Sequence, residues 1–251
     1  MKKNLKMKKE KVKLGILVGM IALFLFGTVV AVEAVAFQGN GKANPPDLEK
    51  IEFIHWKRGF GKPEWAKAPK APACYKFLTL SKIRWTVLPV NYVINPANPQ
   101  NLSESFVGSA VYNSAETWDG ATNQELMNNA YSFGEVTYGV QDYTNAVTFG
   151  NYQTTGVIAV TTIWYNPVTK RIVEFDVMFD TDWIWGDATN DLTKMDLQNI
   201  ATHELGHGVG LADVYDTACS AVTMYGYSNY GETQKRTLEQ PDIKGLLTLY
   251  P

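Results

Sequence analysis

The sequence predicts an α+β fold, and three observations support this prediction. Helical patterns occur in three separate places, at residues 103–121, 193–210 and 239–250. Several short runs rich in β-branched and aromatic residues lie between the first two helices. The chain has 251 residues, of which 45% are hydrophobic and 12% aromatic, so it can bury the core of one domain.

The N-terminus has the layout of an export signal. Residues 1–13 contain seven lysines and one glutamate, and an apolar run follows from Leu14 to Val32. Ala34-Val35-Ala36 fits the cleavage pattern of a signal peptide, but the run is also long enough to remain as a membrane anchor. We therefore predict a signal peptide or signal anchor at 1–36 and a secreted, extracellular domain that contacts a membrane only through such an anchor.

The charge of the exported part excludes one class of partner. The whole chain has a formal net charge of −2. Without residues 1–36 it keeps 16 basic and 23 acidic side chains, and no basic patch remains. We therefore expect no nucleic-acid partner.

Residues 37–73 have the composition of a connector or a short pro-region. Pro, Gly, Ala and Lys are concentrated at both ends of this segment and disfavour regular structure there. Residues 74–251 form the predicted globular domain. Its cysteines, Cys74 and Cys219, are expected to pair in an oxidising compartment. In the alternative, the Cys74 thiolate covers a metal before activation.

The domain is predicted to begin with a strand region and a long helix. Residues 83–96 have a strand pattern that ends at Asn-Pro. Ser103 is a good N-cap for the helix. Apolar residues recur after it at helical spacing, namely Phe106, Val107, Ala110, Val111, Ala115 and Trp118.

A hairpin is predicted next in the β-rich part of the chain. The turn sequence NPVTKR separates residues 157–165 from residues 171–180. Acidic and apolar residues alternate imperfectly in 172–180, which is typical of a strand at the edge of a sheet. A second helix over 193–210, with Thr193 as its cap, and a last helix over 239–250 complete the domain.

The second helix contains a candidate metal site. His203 and His207 are four residues apart, so both imidazoles project from one helix face and can hold one Zn²⁺. Glu204 is placed to take a proton from a zinc-bound water. Gly210 can adopt a positive φ, end the helix and turn the chain so that Asp213 arrives as a third ligand. Three protein ligands leave one position open, as in a catalytic site.

Three other residues could in principle supply the third ligand in place of Asp213. Glu232 and Glu239 lie downstream, but no turn signal brings them to the histidines. His55 is the third histidine of the chain and lies in the connector, where a lone histidine is more often packing than ligand. Asp213 is preferred because the Gly210 turn delivers it.

The residues HELGHGVGL, Asp213 and SAVTMYGY together resemble a metzincin zinc metallopeptidase of the matrixin-like group. The resemblance covers about residues 75–251. The aspartate third ligand is similar to that of snapalysin-type enzymes. The resemblance implies an α/β sandwich-like zincin catalytic domain. Its parts are a twisted, mostly parallel sheet with an antiparallel edge strand, a long first helix, a zinc-binding active-site helix, a Met-turn and a C-terminal helix.

The resemblance also implies roles for residues and a reaction. Met224 matches the Met-turn methionine beneath the zinc, and residues 225–230 would form the wall of the substrate side-chain pocket. Gly226 stands where some other metzincins have a tyrosine, which leaves Tyr227 as the candidate for transition-state stabilisation. The implied function is a secreted zinc endopeptidase in which Glu204 is the general base and a peptide pairs with the strand at 172–180. The domain is expected to act as a monomer on peptide or protein substrates.

This sequence departs from the matrixin pattern in two respects. The third ligand is Asp where matrixins have His, and no cysteine-switch consensus surrounds Cys74.

Calcium could bind among the acids between the edge strand and the zinc helix, Asp176, Asp180, Asp182, Asp187 and Asp191. The alternative functions are an exported zinc-binding adhesion module without turnover and a cell-wall peptide amidase.

Overall fold

The computed structural model describes residues 47–61 and 73–251. The predicted signal or anchor at 1–36 lies outside these residues. Within the described ranges, no helix combines the length and apolar character needed to cross a bilayer. The structure has three α-helices in this part of the chain, α1 (Glu104–Asp119), α2 (Leu197–Gly208) and α3 (Gln240–Leu249).

Eleven strands lie in the described residues. In chain order they are β1 (Glu49–Lys57), β2 (Lys76–Phe77), β3 (Val93–Ile94), β4 (Ser132–Phe133), β5 (Ala146–Gly150), β6 (Val157–Asn166), β7 (Arg171–Asp180), β8 (Trp185–Gly186), β9 (Met195–Asp196), β10 (Leu211–Ala212) and β11 (Tyr227–Ser228). Seven of them form the main sheet in the order β11-β1-β6-β7-β5-β3-β4.

The main sheet is mixed and mostly parallel, as predicted. Strands β4, β3, β5 and β7 pair in parallel, and β6 is antiparallel to β7. The predicted hairpin is therefore confirmed. The assignment of the edge to 172–180 was wrong, because β7 pairs with both β5 and β6. Its acidic side chains, Glu174 and Asp176, point into a buried region and accept loop N–H groups there, which is why polar residues alternate within an interior strand.

Strand β1 lies within the predicted connector, residues 37–73, and pairs with the edge of β6 that is opposite β7. It is antiparallel to β6 from Glu49 to Trp56 and parallel to β11 at Trp56 and Lys57. Without β1, the antiparallel strand β6 would be the edge of the sheet.

The helices confirm most of the predicted bounds. Ser103 caps α1 by accepting a hydrogen bond from the backbone of Phe106, and Glu239 is the N-cap of α3. Helix α2 begins later than predicted, because Asp196, and not Thr193, caps it by accepting from the backbone of Asn199. The side chain of Thr193 instead bonds Asp191. The predicted strand over 83–96 is reduced to β3.

Helix α2 is held in the middle of the core. Helix α2 packs on α1, where the Trp118 indole donates to the carbonyl of Thr202 at 2.7 Å. Phe175 and Phe179 of β7 are fully buried on the sheet side. The buried apolar side chains contributed by both helices and the sheet fix the position of α2, and through it the position of the residues it carries.

Candidate metal centre and active site

Helix α2 presents His203 and His207 from a single face. Both side chains are fully buried. The helix ends at Gly208, and Gly210 has φ of 111°, a conformation that favours glycine. A Cβ atom at Gly210 would lie 2.8 Å from Leu249 and 3.0 Å from the carbonyl of Ile83, so the turn also has no room for a side chain. The short strand β10 follows directly and leads to Asp213.

The turn brings three ligand atoms together. Asp213 Oδ1 lies 3.0 Å from His203 Nε2 and 3.5 Å from His207 Nε2. Donors bound tetrahedrally at ~2.0–2.1 Å would be about 3.3 Å apart, so these separations fit a zinc ion. Within the described residues, the three atoms are buried and make no hydrogen bond. The donor set therefore fits zinc, which would satisfy all three.

The other ring nitrogens hold the imidazoles in place. His203 Nδ1 donates to the carbonyl of Thr223 at 2.7 Å, and His207 Nδ1 donates to the carbonyl of Leu211 at 2.8 Å. These bonds select the tautomer in which Nε2 has a free lone pair. Burial lowers the pKa of His203 to about 4, so its imidazole is neutral as metal ligation requires.

Asp213 is held as an anion by its neighbours. Burial raises the pKa of Asp213, whereas the adjacent His207 and His203 lower it below the usual range when their rings are protonated. The Tyr215 hydroxyl donates to Asp213 Oδ2 at 2.8 Å. Oδ1 thus remains directed at the histidines. Tyr215 was not identified from the sequence, although its position two residues after the candidate ligand was a usable signal.

Met224 packs directly against helix α2. It is fully buried, and a Cβ atom at Gly206 would lie 2.3 Å from its sulfur and 2.6 Å from Trp118. Gly206 lies between the two histidines in sequence. Its missing side chain is what lets the methionine approach the helix, and the sequence motif alone does not reveal this requirement.

Glu204 is fully buried and both of its carboxylate oxygens are engaged. Thr161 of β6 donates to Oε2 at 2.5 Å, and His55 Nδ1 donates to Oε1 at 2.9 Å. Burial raises the pKa of Glu204 to about 7. Thr161 gave no motif in the sequence, and only the pairing of the sheet against α2 reveals its contact.

His55 lies at the site, contrary to the expectation that this connector histidine serves packing. Its ring is tilted against that of His203 with centroids 3.9 Å apart, and its Nε2 accepts from Lys235 at 3.1 Å and Ser228 at 3.0 Å. Lys235 is fully buried and also donates to the carbonyls of Tyr225 and Tyr227. Burial lowers the pKa of Lys235 to about 7.

The other residues that the sequence suggested for the site lie away from the three ligand atoms. Glu232 pairs with Arg58 at 3.2 Å, and Glu239 caps α3, so neither joins the histidine pair. Tyr227 is buried in β11 and makes an edge contact with Tyr215. Cys74 and Cys219 form a disulfide, and with its sulfur so engaged Cys74 offers no thiolate to the metal centre.

The predicted calcium acids do not gather into one cluster. They accept separate hydrogen bonds, for example Asp176 from Gly139, Asp182 from Asn151 and Asp187 from Arg236. In the described part of the chain, two groups of three or more potential ligands lie within 4.8 Å. Both contain His203, and neither contains these acids. Calcium binding stays a prediction.

The fold and this donor set together define the class of protein, a metzincin-like metallopeptidase. The matrixin family model matches residues 84–251, more than half of the chain, and the chain therefore belongs to the matrixin family.

Individual relatives agree with this assignment. The chain is 28% identical to interstitial collagenase of Oryctolagus cuniculus over 85% of its length, covering 44% of that protein. It is 28% identical to human neutrophil collagenase over 69% of its length, covering 34% of that protein. It is 39% identical to human matrilysin over 30% of its length, covering 26% of that protein. The chain thus spans less than half the length of these relatives.

Proposed function

We propose that residues 74–251 form a secreted zinc endopeptidase domain that hydrolyses peptide bonds with Glu204 as the general base. The observation that carries this proposal is the convergence of His203 Nε2, His207 Nε2 and Asp213 Oδ1, which are buried and make no hydrogen bond among the described residues. Three ligands of this kind leave a coordination position for a reactant. Zinc held there supplies Lewis acidity, which makes water a competent nucleophile near neutral pH.

Glu204 is placed for proton transfer because it follows His203 directly on the same helix. Thr161 fixes Oε2, so Oε1 is the oxygen that can take a proton from the nucleophile when His55 is not bound to it. The same carboxyl can then deliver the proton to the leaving amine.

Asp213 would act as the third ligand and bring an anion to the site. Its negative charge lowers the net charge of a zinc site that otherwise has two neutral imidazoles. Extracellular location is supported by the Cys74–Cys219 disulfide, since such bonds persist in oxidising compartments.

The decisive experiment combines metal analysis with a peptidase assay. The purified chain should contain one zinc per molecule, and new N-termini should appear in casein in a reaction that phenanthroline stops. Glu204→Gln keeps the shape of the side chain and should retain zinc with at least a 100-fold loss of cleavage. Full cleavage by Glu204→Gln would overturn the general-base role.

The third ligand is tested by metal content alone. Asp213→Ala should lose zinc on dialysis against a weak chelator. Glu232→Ala removes an acid that lies outside the histidine cluster and should keep the metal. Retention of one zinc per chain by Asp213→Ala would show that the third ligand lies elsewhere.

A further inference from the structure

Two segments at one end of the main sheet expose large apolar side chains. Leu80 is 104% exposed, Val87 is 68% exposed, and Val168 in the turn between β6 and β7 is 83% exposed. Single exposed apolar residues are ordinary on a protein surface, but several on adjoining segments commonly mark an interaction site. We call residues 79–88 and 167–171 together the end surface.

Backbone hydrogen bonds hold the two segments of the end surface side by side. The N–H of Arg84 donates to the carbonyl of Lys170 at 3.3 Å, and the N–H of Ile172 donates to the carbonyl of Arg84 at 3.0 Å. Val87 and Arg171 also line one cavity. Each exposed apolar residue of the end surface lies within four positions of Arg84 or Lys170 in the sequence, so these side chains are close together in the fold.

The end surface is basic, although the sequence alone predicts no basic patch. Folding brings together four exposed basic residues from the two segments, Lys82, Arg84, Lys170 and Arg171. Neither segment contains Asp or Glu. In the part of the chain that the structure describes, which has 12 basic and 22 acidic side chains, no acid forms an ion pair with any of these four. The end surface is thus positive on a domain that is otherwise strongly negative.

The chain enters the described domain at the same end of the sheet. Strand β1 begins at Glu49, an acid at the border of the end surface, and Glu49 pairs with Tyr165 two residues before Pro167. The described residues begin at Asp47, which therefore lies at this end of the sheet. In the sequence, the apolar run of the predicted signal anchor ends at Val32, 14 residues before Asp47 is reached. A retained anchor would thus lead from a bilayer to this end of the sheet first.

We propose that the end surface docks the domain on a bilayer that contains anionic lipid. The four basic residues would contact the lipid phosphates, and the three exposed apolar residues would enter the boundary between headgroups and acyl chains. This contact is additional to any anchor in residues 1–36, and it does not rest on the proposed peptidase function.

The combination of positive charge and exposed apolar side chains favours a lipid surface over a soluble polyanion. Each basic residue near an anionic bilayer contributes about fivefold in affinity. A nucleic acid or an acidic polysaccharide would attract the same four charges, but it offers no apolar medium to the neighbouring side chains. Leu80 and Val168 are removed from water only where acyl chains receive them, and this removal is favourable.

The test compares hydrogen exchange of the full-length chain on two kinds of vesicle. One sample contains phosphatidylglycerol vesicles and the other contains phosphatidylcholine vesicles, so any insertion of residues 1–36 is common to both. Peptides that cover the end surface should exchange roughly threefold or more slowly on phosphatidylglycerol, because docking excludes water from their amides. Sodium chloride at about 1 M should remove most of this difference, since it screens the four charges.

Two double variants separate the contributions of charge and of apolar contact. Lys82→Ser with Lys170→Ser should weaken docking roughly 30-fold, and Leu80→Ser with Val168→Ser should abolish the added protection on phosphatidylglycerol. The matched control is Leu192→Ser with Lys194→Ser, which removes one exposed apolar and one basic residue between β8 and β9 and should keep the protection.

Three results would overturn the inference. The first is equal exchange of the end surface on both lipids in the unmodified chain, a comparison that needs no variant to fold. The second is protection on phosphatidylglycerol that survives both double variants. The third is equal protection by heparin in solution, which would make a soluble polyanion the partner. None of these measurements involves zinc or peptide cleavage, so failure of the proposed peptidase function would leave their outcome unchanged.

Discussion

The hydroxyl of Tyr215 donates a hydrogen bond to Asp213 Oδ2 at 2.8 Å, while Oδ1 of the same carboxylate faces the two histidines. Such outer contacts orient a metal ligand and commonly change metal affinity 10- to 100-fold. We predict that Tyr215→Phe weakens zinc binding by roughly tenfold or more. Competition with a chromophoric chelator measures this affinity. Tyr138→Phe, which removes a hydroxyl bonded to Thr162 away from the ligands, serves as control and should keep the affinity.

The close approach of Met224 to Gly206 gives a prediction about stability. Gly206→Ala would place a methyl group 2.3 Å from the methionine sulfur, so the helix or Met224 must shift. We expect a loss of about 1–3 kcal/mol in the free energy of unfolding, together with weaker zinc binding. Gly134→Ala, where the nearest atom would be 3.1 Å away on Val93, should cost less than Gly206→Ala. Urea unfolding of the metal-free proteins makes the comparison, and equal losses would contradict this account of Gly206.

Asp119 is expected to make stability depend on pH. Burial raises its pKa to about 6, although the backbone N–H groups of Leu126 and Met127 partly offset this effect. An acid with a raised pKa binds its proton more tightly in the native state, so its contribution to stability is present near pH 4 and is lost as pH rises through 6.

The variant Asp119→Asn tests this dependence. Oδ1 accepts both backbone hydrogen bonds, and Oδ2 is buried without a partner among the described residues, so the amide oxygen of Asn can accept the same two bonds. We expect the variant to be more stable than the parent by on the order of 1 kcal/mol at pH 8, and the difference to shrink towards pH 5. Denaturant titrations at the two pH values measure this, and a constant difference would be the contrary result.

The disulfide should contribute strongly to stability. Cys74 and Cys219 are 145 residues apart in sequence, and the bond between them joins the start of the domain to the segment that follows Asp213. A cross-link that closes so long a loop restricts the unfolded chain, and its removal typically costs roughly 2–5 kcal/mol. Cys74→Ala together with Cys219→Ala should therefore lower the melting temperature substantially. An unchanged melting temperature would show that the bond contributes nothing in solution.

The sequence predicted the structure correctly where the structure depends on the spacing of residues that are close together in the chain. The i, i+4 histidines, the glycine needed for the turn at 210, the cap at Ser103 and the hairpin around 167–170 all depend on neighbours in the chain. The predicted start of α2 was wrong because two nearby residues could each serve as its N-cap. Both Thr193 and Asp196 are suitable N-caps, and the choice depended on which one the core placed at the helix start.

The sequence by itself determined the class of the domain and the three potential metal ligands, because a helix period and one glycine turn bring these residues together. Only the tertiary structure decided that β1 pairs with β6 and that His55 and Thr161 contact Glu204. The pairing of β1 with β6 joins residues about 100 positions apart, and the contact of His55 with Glu204 spans 149 positions. No short-range pattern encodes such contacts, since they arise from sheet pairing and burial of the whole core.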